Sequence, residues 1–303
     1  MKLFAGCDTG FGHLIALDLN EAGFTVFAGC LFPDKENGQS LLSKCKNRNK
    51  LIIVPINVTS ESSINEGYEL IKNNLIKKHL KLWSLINNAG IASISEFEWG
   101  SFDQEITSVI QVNVIGLALI TRKFLPLIRQ SRGRIINMNS VASRFSPPGM
   151  IAYDMSKHAT LAFTECLRRE MFKFDVKVIS IEPFFYRTNI VDKHTCTSSV
   201  MKAWKATDVS IRSAYGEEYF QRFLHFYSSP SFDRFLRNPI EVVKEVNHAV
   251  TAIYPKMSYA VTTYFWRFVL WYMACFNHPQ ESEEMGWNFG AVVLGVHKPI
   301  PSN

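Results

Sequence analysis

Six short apolar runs recur along the first 183 residues, and longer stretches with helical periodicity separate them. The runs are KLFAG, FTVFAGC, LIIVPIN, LWSLINNAG, GRIINMNS and VKVISIEP. The stretches between them, such as HLIALDLNEAG and SSINEGYELIKNNLIKKH, carry apolar residues at spacings of three and four. Strands joined by helical crossovers pair in parallel, and both faces of their sheet are covered. The alternation therefore predicts an α/β fold built on a doubly wound parallel sheet.

The alternation stops after Pro183. Residues 184–238 are rich in aromatic, serine and charged residues, with weak helical periodicity around AYGEEYFQRFLHFY. Their aromatic content argues against a disordered linker and favours a lid. PIEVVKEVNHAVTAI then predicts a helix with Pro239 at its start. We expect one domain over 1–303, with a cofactor-binding and catalytic core over 1–183, an aromatic-rich substrate lid over 184–238, and C-terminal helices and a tail over 239–303.

The charge and cysteine content narrow the classes of partner. A formal net charge of +6 suits an anionic cofactor or an acidic membrane surface, but the basic residues are scattered. Because there is no block of lysine and arginine, we expect no nucleic-acid partner. The six cysteines show neither CxxC spacing nor a cysteine–histidine cluster, so we expect reduced thiols and no metal site.

The longest apolar stretch is YAVTTYFWRFVLWYMACF, residues 259–276. Arg267 and two threonines interrupt it, which argues against a membrane-spanning helix. Its aromatic residues suit a helix packed on the domain or, as the alternative, one lying in a membrane interface. The N-terminal MKLFAGCDTGFG has no secretory signal pattern. The expected location is intracellular, either cytoplasmic or peripherally associated with an intracellular membrane.

A glycine-rich loop, GCDTGFGH, follows the first predicted strand. Gly6, Gly10 and Gly12 have GxxxGxG spacing and precede an amphipathic helix. Glycines let a backbone approach a pyrophosphate closely, and a helix N-terminus supplies unpaired N–H groups; an ordinary strand-to-helix turn is the alternative. NNAG, at 87–90, and Asn57 end two further strands at the edge where an open parallel sheet binds ligands. We expect both to line a nucleotide site, with Asn57 able to hydrogen-bond an adenine.

Ser140, Tyr153 and Lys157 form a set with catalytic chemistry. Tyr153 and Lys157 lie four apart in the helical stretch MIAYDMSKHATLAFTECLRREMF, so both project from one face. Hydride exchange at a carbon that bears oxygen needs a group to exchange the hydroxyl proton. A nearby ammonium and a positive nicotinamide ring favour a phenolate, and a serine hydroxyl can hold the substrate oxygen. Asn113, in VNVIG, is placed beneath the site, where it could anchor a water that links Lys157 to solvent.

Together, GxxxGxG, NNAG, Asn113, Ser140 and YxxxK resemble the short-chain dehydrogenase/reductases over nearly the whole chain. GCDTGFG, VFAGCL, FLPLIR and IEPFFYRT resemble the branch that holds retinol dehydrogenases, 17β-hydroxysteroid dehydrogenases and mitochondrial D-3-hydroxybutyrate dehydrogenase. The resemblance implies a Rossmann-type sheet and a catalytic tetrad of Asn113, Ser140, Tyr153 and Lys157. Tyr153 would be the acid/base, and Lys157 would bind the nicotinamide ribose and lower the pKa of the tyrosine. The implied cofactor-binding residues are Gly6, Asp8, Thr9, Gly10, Phe11, Gly12, Asn57, Val58, Asn87, Ala89, Gly90, Tyr153, Lys157, Pro183 and Thr188.

Some positions depart from the family pattern. Ala5 replaces a threonine before the first glycine, and Phe184 replaces the glycine that follows Pro183. The second strand ends AGCLFPDK, without an acidic residue at its tip, and Thr9 stands where NADP-dependent relatives often carry a basic residue. Asp34 and Lys35 lie further along. The branch resemblance favours NAD as the cofactor, with NADP as the alternative.

The lid predicts the kind of substrate. Its aromatic residues, which also serve to pack the lid on the core, are Phe185, Tyr186, Trp204, Tyr215, Tyr219, Phe220, Phe223 and Phe226. Apolar pockets suit a lipophilic alcohol or ketone of retinoid or steroid type. A 3-hydroxybutyrate substrate is the alternative, with Arg187 or Lys202 as the carboxylate partner. A nucleotide-binding scaffold without catalysis is another alternative, and a homo-oligomer is a hypothesis.

Overall fold

The computed structural model of the protein describes residues 1–264. Within them, seven strands form one sheet in the order β3-β2-β1-β4-β5-β6-β7, and every neighbouring pair is parallel. The strands are β1 Lys2–Ala5, β2 Val26–Cys30, β3 Leu51–Pro55, β4 Ser84–Asn87, β5 Arg134–Met138, β6 Lys177–Pro183 and β7 Ser258–Val261. The six strands expected from the apolar runs are all present. The Rossmann-type doubly wound sheet is thereby confirmed.

Helices connect the strands. Between β1 and β6 they are α1 Gly10–Glu21, α2 Glu36–Lys44, α3 Glu61–Lys77, α4 Ser108–Ile110, α5 Leu117–Ser131 and α6 Ile151–Met171. After β6 they are α7 Lys193–Ala206, α8 Val209–Tyr215, α9 Glu217–Ser228, α10 Pro230–Phe235 and α11 Ile240–Thr251. The turns Asp103–Thr107 and Gln111–Gly116, on either side of α4, are π-helical.

The core has two parts, one on each face of the sheet. On one face, α1 and α11 bury residues such as Leu19 and Val246 against the strands. On the other face, α3, α5 and α6 bury residues such as Ile71, Phe124 and Leu167. Every residue of β2 and of β5 is buried. A central parallel strand is covered on both sides, which is why these strands read as continuous apolar runs.

The seventh strand corrects a prediction. Ser258–Val261 pairs in parallel with β6, whereas the apolar stretch over 259–276 was expected to be helical. The helical expectation is wrong for its first residues, because Tyr259 and Val261 are buried while Ala260 between them is only partly buried. That alternation has the period of a strand. The remainder of the stretch, from residue 265, lies outside the described residues, so the choice between packing and a membrane interface stays a prediction.

Asp103–Ser131 is the one helical stretch, among the described residues, with a length and apolar composition that could span a membrane. It packs here against α3 and β4, and it carries the buried Asn113. Core helices of soluble proteins have the same length and composition. The five cysteines within residues 1–264 are free thiols.

Residues 184–238 contain more helix than their weak periodicity predicted. Four helices, α7 to α10, fill most of the segment. Three of them begin at side-chain caps: the carboxylates of Asp192 and Asp208 and the hydroxyl of Ser229 accept backbone N–H groups of the first turn. Asp and Ser are preferred at this position because they satisfy N–H groups that have no partner within the helix.

The lid has its own apolar cluster, centred on Trp99 from the loop after β4. Trp204 and Phe223 lie edge-on to the Trp99 ring, with centroids 4.7 and 5.3 Å away. Trp204 also stacks on Phe220 at 4.7 Å. Most of the aromatic residues that suggested a substrate surface therefore pack the lid together. Tyr186 belongs to the main core instead, and its hydroxyl donates to Glu241 and to the Val261 carbonyl.

Candidate active site

The glycine-rich loop after β1 has the geometry that its spacing predicts. Gly6 and Gly10 have positive φ angles of 78° and 60°, which L side chains rarely adopt. A Cβ atom on Gly6 would lie 2.7 Å from the Ala89 Cα, and one on Gly12 would lie 2.1 Å from the Gly6 carbonyl oxygen. The Asn88 side chain donates to that same oxygen at 2.7 Å. Only glycine fits at these two positions, where the glycine-rich loop packs closely against itself and against the end of β4.

A cavity of about 440 Å³ opens beside this loop at the carboxyl ends of β1 to β4. The predicted residues that line it are Gly6, Asp8, Thr9, Gly10, Phe11, Asn57, Val58, Ala89, Gly90 and Thr188. Thr188 arrives from the start of the lid, and its Cβ lies 3.6 Å from where a Gly10 side chain would begin. The structure thus brings together predicted residues from four separate parts of the chain.

Seven lining residues were not predicted, and an eighth, Asn88, was expected only as part of its motif. The seven are Leu31, Phe32, Ile56, Ile91, Val112, Asn189 and Ile190. Leu31 and Phe32 directly follow β2 and Ile56 follows β3, so the strand-end rule that selected Asn57 could have found them. Asn88 lies inside the NNAG motif. Asn189 and Ile190 reach the cavity only because the lid folds back, for which the sequence carries no local signal.

Five residues predicted to bind the cofactor do not line this cavity: the pair Tyr153 and Lys157, described below, and Asn87, Gly12 and Pro183. The Asn87 side chain points into the protein, where it donates to Thr121 Oγ1 and Asn137 Oδ1, both at 2.8 Å. It therefore ties β4 to α5 and β5, and its neighbour Asn88 reaches the cavity, because successive side chains of a strand alternate. Gly12 packs against the Gly6 carbonyl, and Pro183 is the buried last residue of β6. Their roles are to shape the site, not to line it.

Tyr153 and Lys157 project from the first turns of α6, as their spacing predicted. Lys157 is buried, and its Nζ donates to the Met138 carbonyl at 2.9 Å, at the end of β5. The same Nζ lies 5.4 Å from the centroid of the Tyr153 ring. Ser140 follows β5 two residues later and is hydrogen-bonded to the Tyr153 phenol. The three side chains predicted to act together are therefore in one place.

Burial shifts the pKa values of both members of this pair. Burial raises the pKa of Tyr153 to about 12, and the Ser140 hydrogen bond only partly opposes the rise. Burial likewise lowers the pKa of Lys157 to about 8. That Lys157, together with a nicotinamide ring, lowers the pKa of Tyr153 stays a prediction. A phenol with the raised pKa is protonated at neutral pH.

The Asn113 side chain links the segment after β4 to helix α6 through hydrogen bonds. Its amide Nδ2 donates to the Ile91 carbonyl and to Ser156 Oγ, both at 2.9 Å, and its Oδ1 accepts from the Ile91 N–H at 2.9 Å. Ile91 lines the cavity and Ser156 lies on α6 beside Lys157. The side chain therefore fixes the cavity wall relative to the Tyr153 helix. The water-anchoring role expected for it stays a prediction.

Phe184, the departure after Pro183, does not line the cavity among the described residues. Its backbone N–H donates to the Val261 carbonyl at 3.2 Å, so this residue extends the pairing of β6 with β7. Its ring packs on the core and lies edge-on to Phe185, with centroids 5.0 Å apart. The bulky side chain is accommodated by the core.

Comparison with known proteins gives the class. The family model for short chain dehydrogenase matches residues 2–198, and the chain belongs to the short-chain dehydrogenase family. It is accordingly an NAD(P)-dependent oxidoreductase that acts on CH–OH groups.

The relatives fall in the branch suggested by the motifs. Retinol dehydrogenase 16 of Rattus norvegicus is 35% identical over 257 residues, which cover 84% of this chain and 78% of the relative. Mitochondrial D-beta-hydroxybutyrate dehydrogenase of the same species is 33% identical over 271 residues, covering 87% and 77%. The 17-beta-hydroxysteroid dehydrogenase type 6 of Rattus norvegicus is 35% identical over 256 residues, which cover 84% of this chain and 78% of the relative.

Solved structures share the fold at lower identity. The 3-ketoacyl-(acyl-carrier-protein) reductase from Brucella melitensis, complexed with NADH, has a TM-score of 0.63 at 18% identity, covering 85% of this chain and 94% of that one. ElxO with NADP bound has a TM-score of 0.64 at 20% identity, covering 86% and 96%.

The cavity residues fit a nicotinamide dinucleotide. The glycine loop and the first residues of α1, Gly10 and Phe11, line the cavity, and a helix N-terminus presents unpaired N–H groups. Leu31 and Phe32 supply apolar surface, and Asn57 supplies a polar edge. The loop and helix would hold the pyrophosphate, and the ends of β2 and β3 would hold the adenosine.

Proposed function

We propose that the chain interconverts lipophilic alcohols of retinoid or steroid type and their carbonyl compounds, with NAD(H) as cofactor. The observation that carries the proposal is the cluster of Ser140, Tyr153 and Lys157, joined through Asn113 to the wall of a cavity that fits a dinucleotide. The cofactor, when bound, accepts or supplies the hydride. The rest of the chemistry falls to the chain's own side chains.

Tyr153 moves the proton in this proposal. A phenol whose pKa is raised to about 12 is protonated at neutral pH and can donate to the oxygen of a carbonyl as that oxygen gains charge. In the alcohol direction the hydroxyl of the substrate passes its proton to the phenolate form of Tyr153. The Ser140 hydroxyl, hydrogen-bonded to the phenol, is placed to orient the substrate oxygen. A protonated Lys157 favours the phenolate electrostatically, although burial outweighs it here.

The lid supports a lipophilic substrate over a small hydroxy acid. Its described interior is aromatic, and Phe185, Tyr219 and Phe226 are partly buried against the Trp99 cluster. Arg187 and Lys202, the cations that could hold a carboxylate, are both exposed. A small anionic substrate would need a fixed partner within the site. D-3-hydroxybutyrate oxidation stays the alternative, since one relative is named for that substrate.

The first experiment measures NADH formation and consumption with a panel of retinol, androstanediol, estradiol and 3-hydroxybutyrate and their carbonyl forms. Tyr153→Phe should lower kcat by at least about a hundredfold, because it removes the proton donor but leaves the ring in place. Tyr254→Phe makes the same chemical change at a side chain that is 90% exposed and should leave kcat unchanged. NADH binding should survive in both variants.

The outcomes separate the alternatives. A preference for 3-hydroxybutyrate would replace the lipophilic substrate by the small acid. Turnover that persists in Tyr153→Phe would contradict the assigned proton donor. Binding of NADH without turnover of any panel member, in either direction and with either cofactor, would favour the scaffold that has lost catalysis.

Self-association and membrane contact are further parts of the proposal. Ile115 and Met155 are exposed on the helices that carry Asn113 and Tyr153, and such apolar side chains support a homo-oligomer. A monomeric mass in sedimentation would contradict it. The intracellular location, with cytoplasmic or peripheral membrane placement, is likewise proposed, and recovery of the protein free of liposomes after flotation would contradict the membrane contact.

A further inference from the structure

The tip of β2 receives a carboxylate from another part of the chain. The strand ends at Cys30 and continues into Leu31 and Phe32, so it carries no acidic residue at the position where NAD-binding sheets usually do. In the folded chain, Asp8 from the glycine-rich loop occupies this place. Its Oδ2 accepts the Leu31 N–H and its Oδ1 accepts the Phe32 N–H, each at 2.9 Å.

These two bonds leave part of the carboxylate available. An ionised carboxylate has about four acceptor positions, and the two N–H groups use one on each oxygen. Asp8 is only partly buried, and it lines the cavity together with Leu31 and Phe32. The remaining lone pairs are therefore within the cavity that fits the dinucleotide, at the end between β2 and β3.

Within residues 1–264, the residues that line the cavity carry negative charge and no positive charge. Among the described residues that line the cavity, Asp8 is the only charged one, and there is no lysine or arginine. Lys35 lies on the loop after β2, and its Nζ is 4.2 Å from the centroid of the Phe32 ring. A phosphate placed beside Asp8 would meet a negative charge, whereas a hydroxyl could donate a hydrogen bond to it.

We propose that Asp8 selects NAD over NADP by accepting a hydrogen bond from the 2′-hydroxyl of the adenosine ribose and repelling a 2′-phosphate. The glycine-rich loop thus supplies both the turn for the pyrophosphate and the carboxylate that the second strand lacks. This inference rests on the proposed function, because it assigns NAD to the same cavity. It concerns binding alone and needs no turnover.

The test is to measure Kd for NADH and NADPH by quenching of tryptophan fluorescence, without substrate. Wild type should bind NADH more tightly. In Asp8→Asn, which keeps the size of the side chain, the ratio of Kd for NADPH to Kd for NADH should fall at least about tenfold, or about 1.4 kcal/mol. Lys35 then faces a 2′-phosphate without a competing carboxylate, so Asp8→Asn with Lys35→Ala should recover part of the lost ratio.

Asp34→Asn is the matched control, because it removes the same charge from the neighbouring loop after β2, at an exposed residue outside the cavity lining. Its ratio should stay at the wild-type value. The proposal is overturned if Asp8→Asn weakens both cofactors by one common factor, which would mean that Asp8 only holds the loop. It is also overturned if Asp34→Asn shifts the ratio equally, or if wild type binds both cofactors alike. Selective NADH binding through Asp8 without alcohol turnover would defeat the proposed function alone.

Discussion

Asp154 follows the proposed proton donor directly and is a buried carboxyl that the mechanism does not use. Only 4% of its surface is exposed, and its Oδ1 accepts no hydrogen bond within residues 1–264. Burial raises its pKa to about 8. An unpaired buried carboxylate costs stability, so the protein is expected to keep this group protonated at neutral pH. The nearby negative charge would otherwise also raise the pKa of Tyr153 further.

This carboxyl makes stability depend on pH. In the unfolded chain an aspartate ionises at about pH 4, whereas Asp154 in the fold ionises at about pH 8. Between these pH values the unfolded state binds fewer protons than the folded state. The contribution of Asp154 to the free energy of unfolding therefore falls as pH rises, and this contribution levels off above pH 8. Asp154→Asn does not titrate. Its stability relative to wild type should therefore be at least about 1 kcal/mol more favourable at pH 8 than at pH 5 in urea unfolding.

Glu170→Gln, at an exposed position of the same helix, serves as the reference for this measurement. Its difference from wild type should be nearly the same at both pH values. An Asp154→Asn difference that also stays constant would show that the buried carboxyl does not titrate in this window.

At the scale of elements, two tyrosines fasten the lid to the loop after β4. Tyr219 on α9 donates to Glu96 Oε1 at 2.6 Å, and Tyr215 on α8 donates to Glu98 Oε2 at 3.0 Å. Glu96 is the more enclosed of the two carboxylates, and burial raises its pKa. The Tyr219 bond is therefore expected to hold the lid more firmly than the Tyr215 bond.

Tyr219→Phe should loosen this attachment. The change leaves a partly buried Glu96 without its donor, at a cost of about 1–3 kcal/mol. Amides of α8 and α9 should exchange faster with deuterium, and KM for a lipophilic substrate should rise, while the Kd of NADH should not change. Tyr215→Phe, whose partner is exposed, should have the smaller effect on exchange. Equal exchange in wild type and Tyr219→Phe would contradict this account of the lid.

Elements also show what the sequence could predict. The six strands β1 to β6 could be predicted because each is a short apolar run between helices, and the inner ones among them are buried on both faces. The edge strand β7 could not, because its four residues merge with a longer apolar stretch. The glycine loop and the strand ends were predicted from topology. To choose Asn88 over Asn87 as the residue that lines the cavity, one must know which of the two adjacent side chains points toward it. The pKa of Tyr153 depends on burial, for which YxxxK carries no signal.

At the scale of the whole molecule, Arg134 joins the start of β5 to the end of α11. Its guanidinium is buried, and it donates to the Ala249 carbonyl at 2.6 Å and to the Ala252 carbonyl at 2.9 Å. It also lies over the Trp83 ring, 5.2 Å from the centroid. A cation at a helix C-terminus satisfies carbonyls that have no partner in the helix and complements the helix dipole. Residues far apart in the chain are thereby held together.

Arg134→Met should keep the apolar volume but remove the two charged hydrogen bonds. We expect the free energy of unfolding in urea to fall by about 2–3 kcal/mol, with the Kd of NADH unchanged because the change lies at the opposite end of the sheet from the cavity. Arg169→Met, at an exposed position of α6, should cost less than about 0.5 kcal/mol. A loss of equal size in both variants would contradict the role given to Arg134.

The two ends of the lid lie side by side, at Tyr186 and Arg237. Tyr186 and Arg237 form a parallel bridge, the Arg237 N–H donates to the Phe185 carbonyl at 3.0 Å, and the Arg187 N–H donates to the Arg237 carbonyl at 3.0 Å. Because the two ends of this segment are hydrogen-bonded to each other, its length or composition can change without altering the order of the strands. Exchange of the segment between relatives is therefore a route to new substrate specificities, provided that Thr188, Asn189 and Ile190, which line the cofactor cavity, are kept.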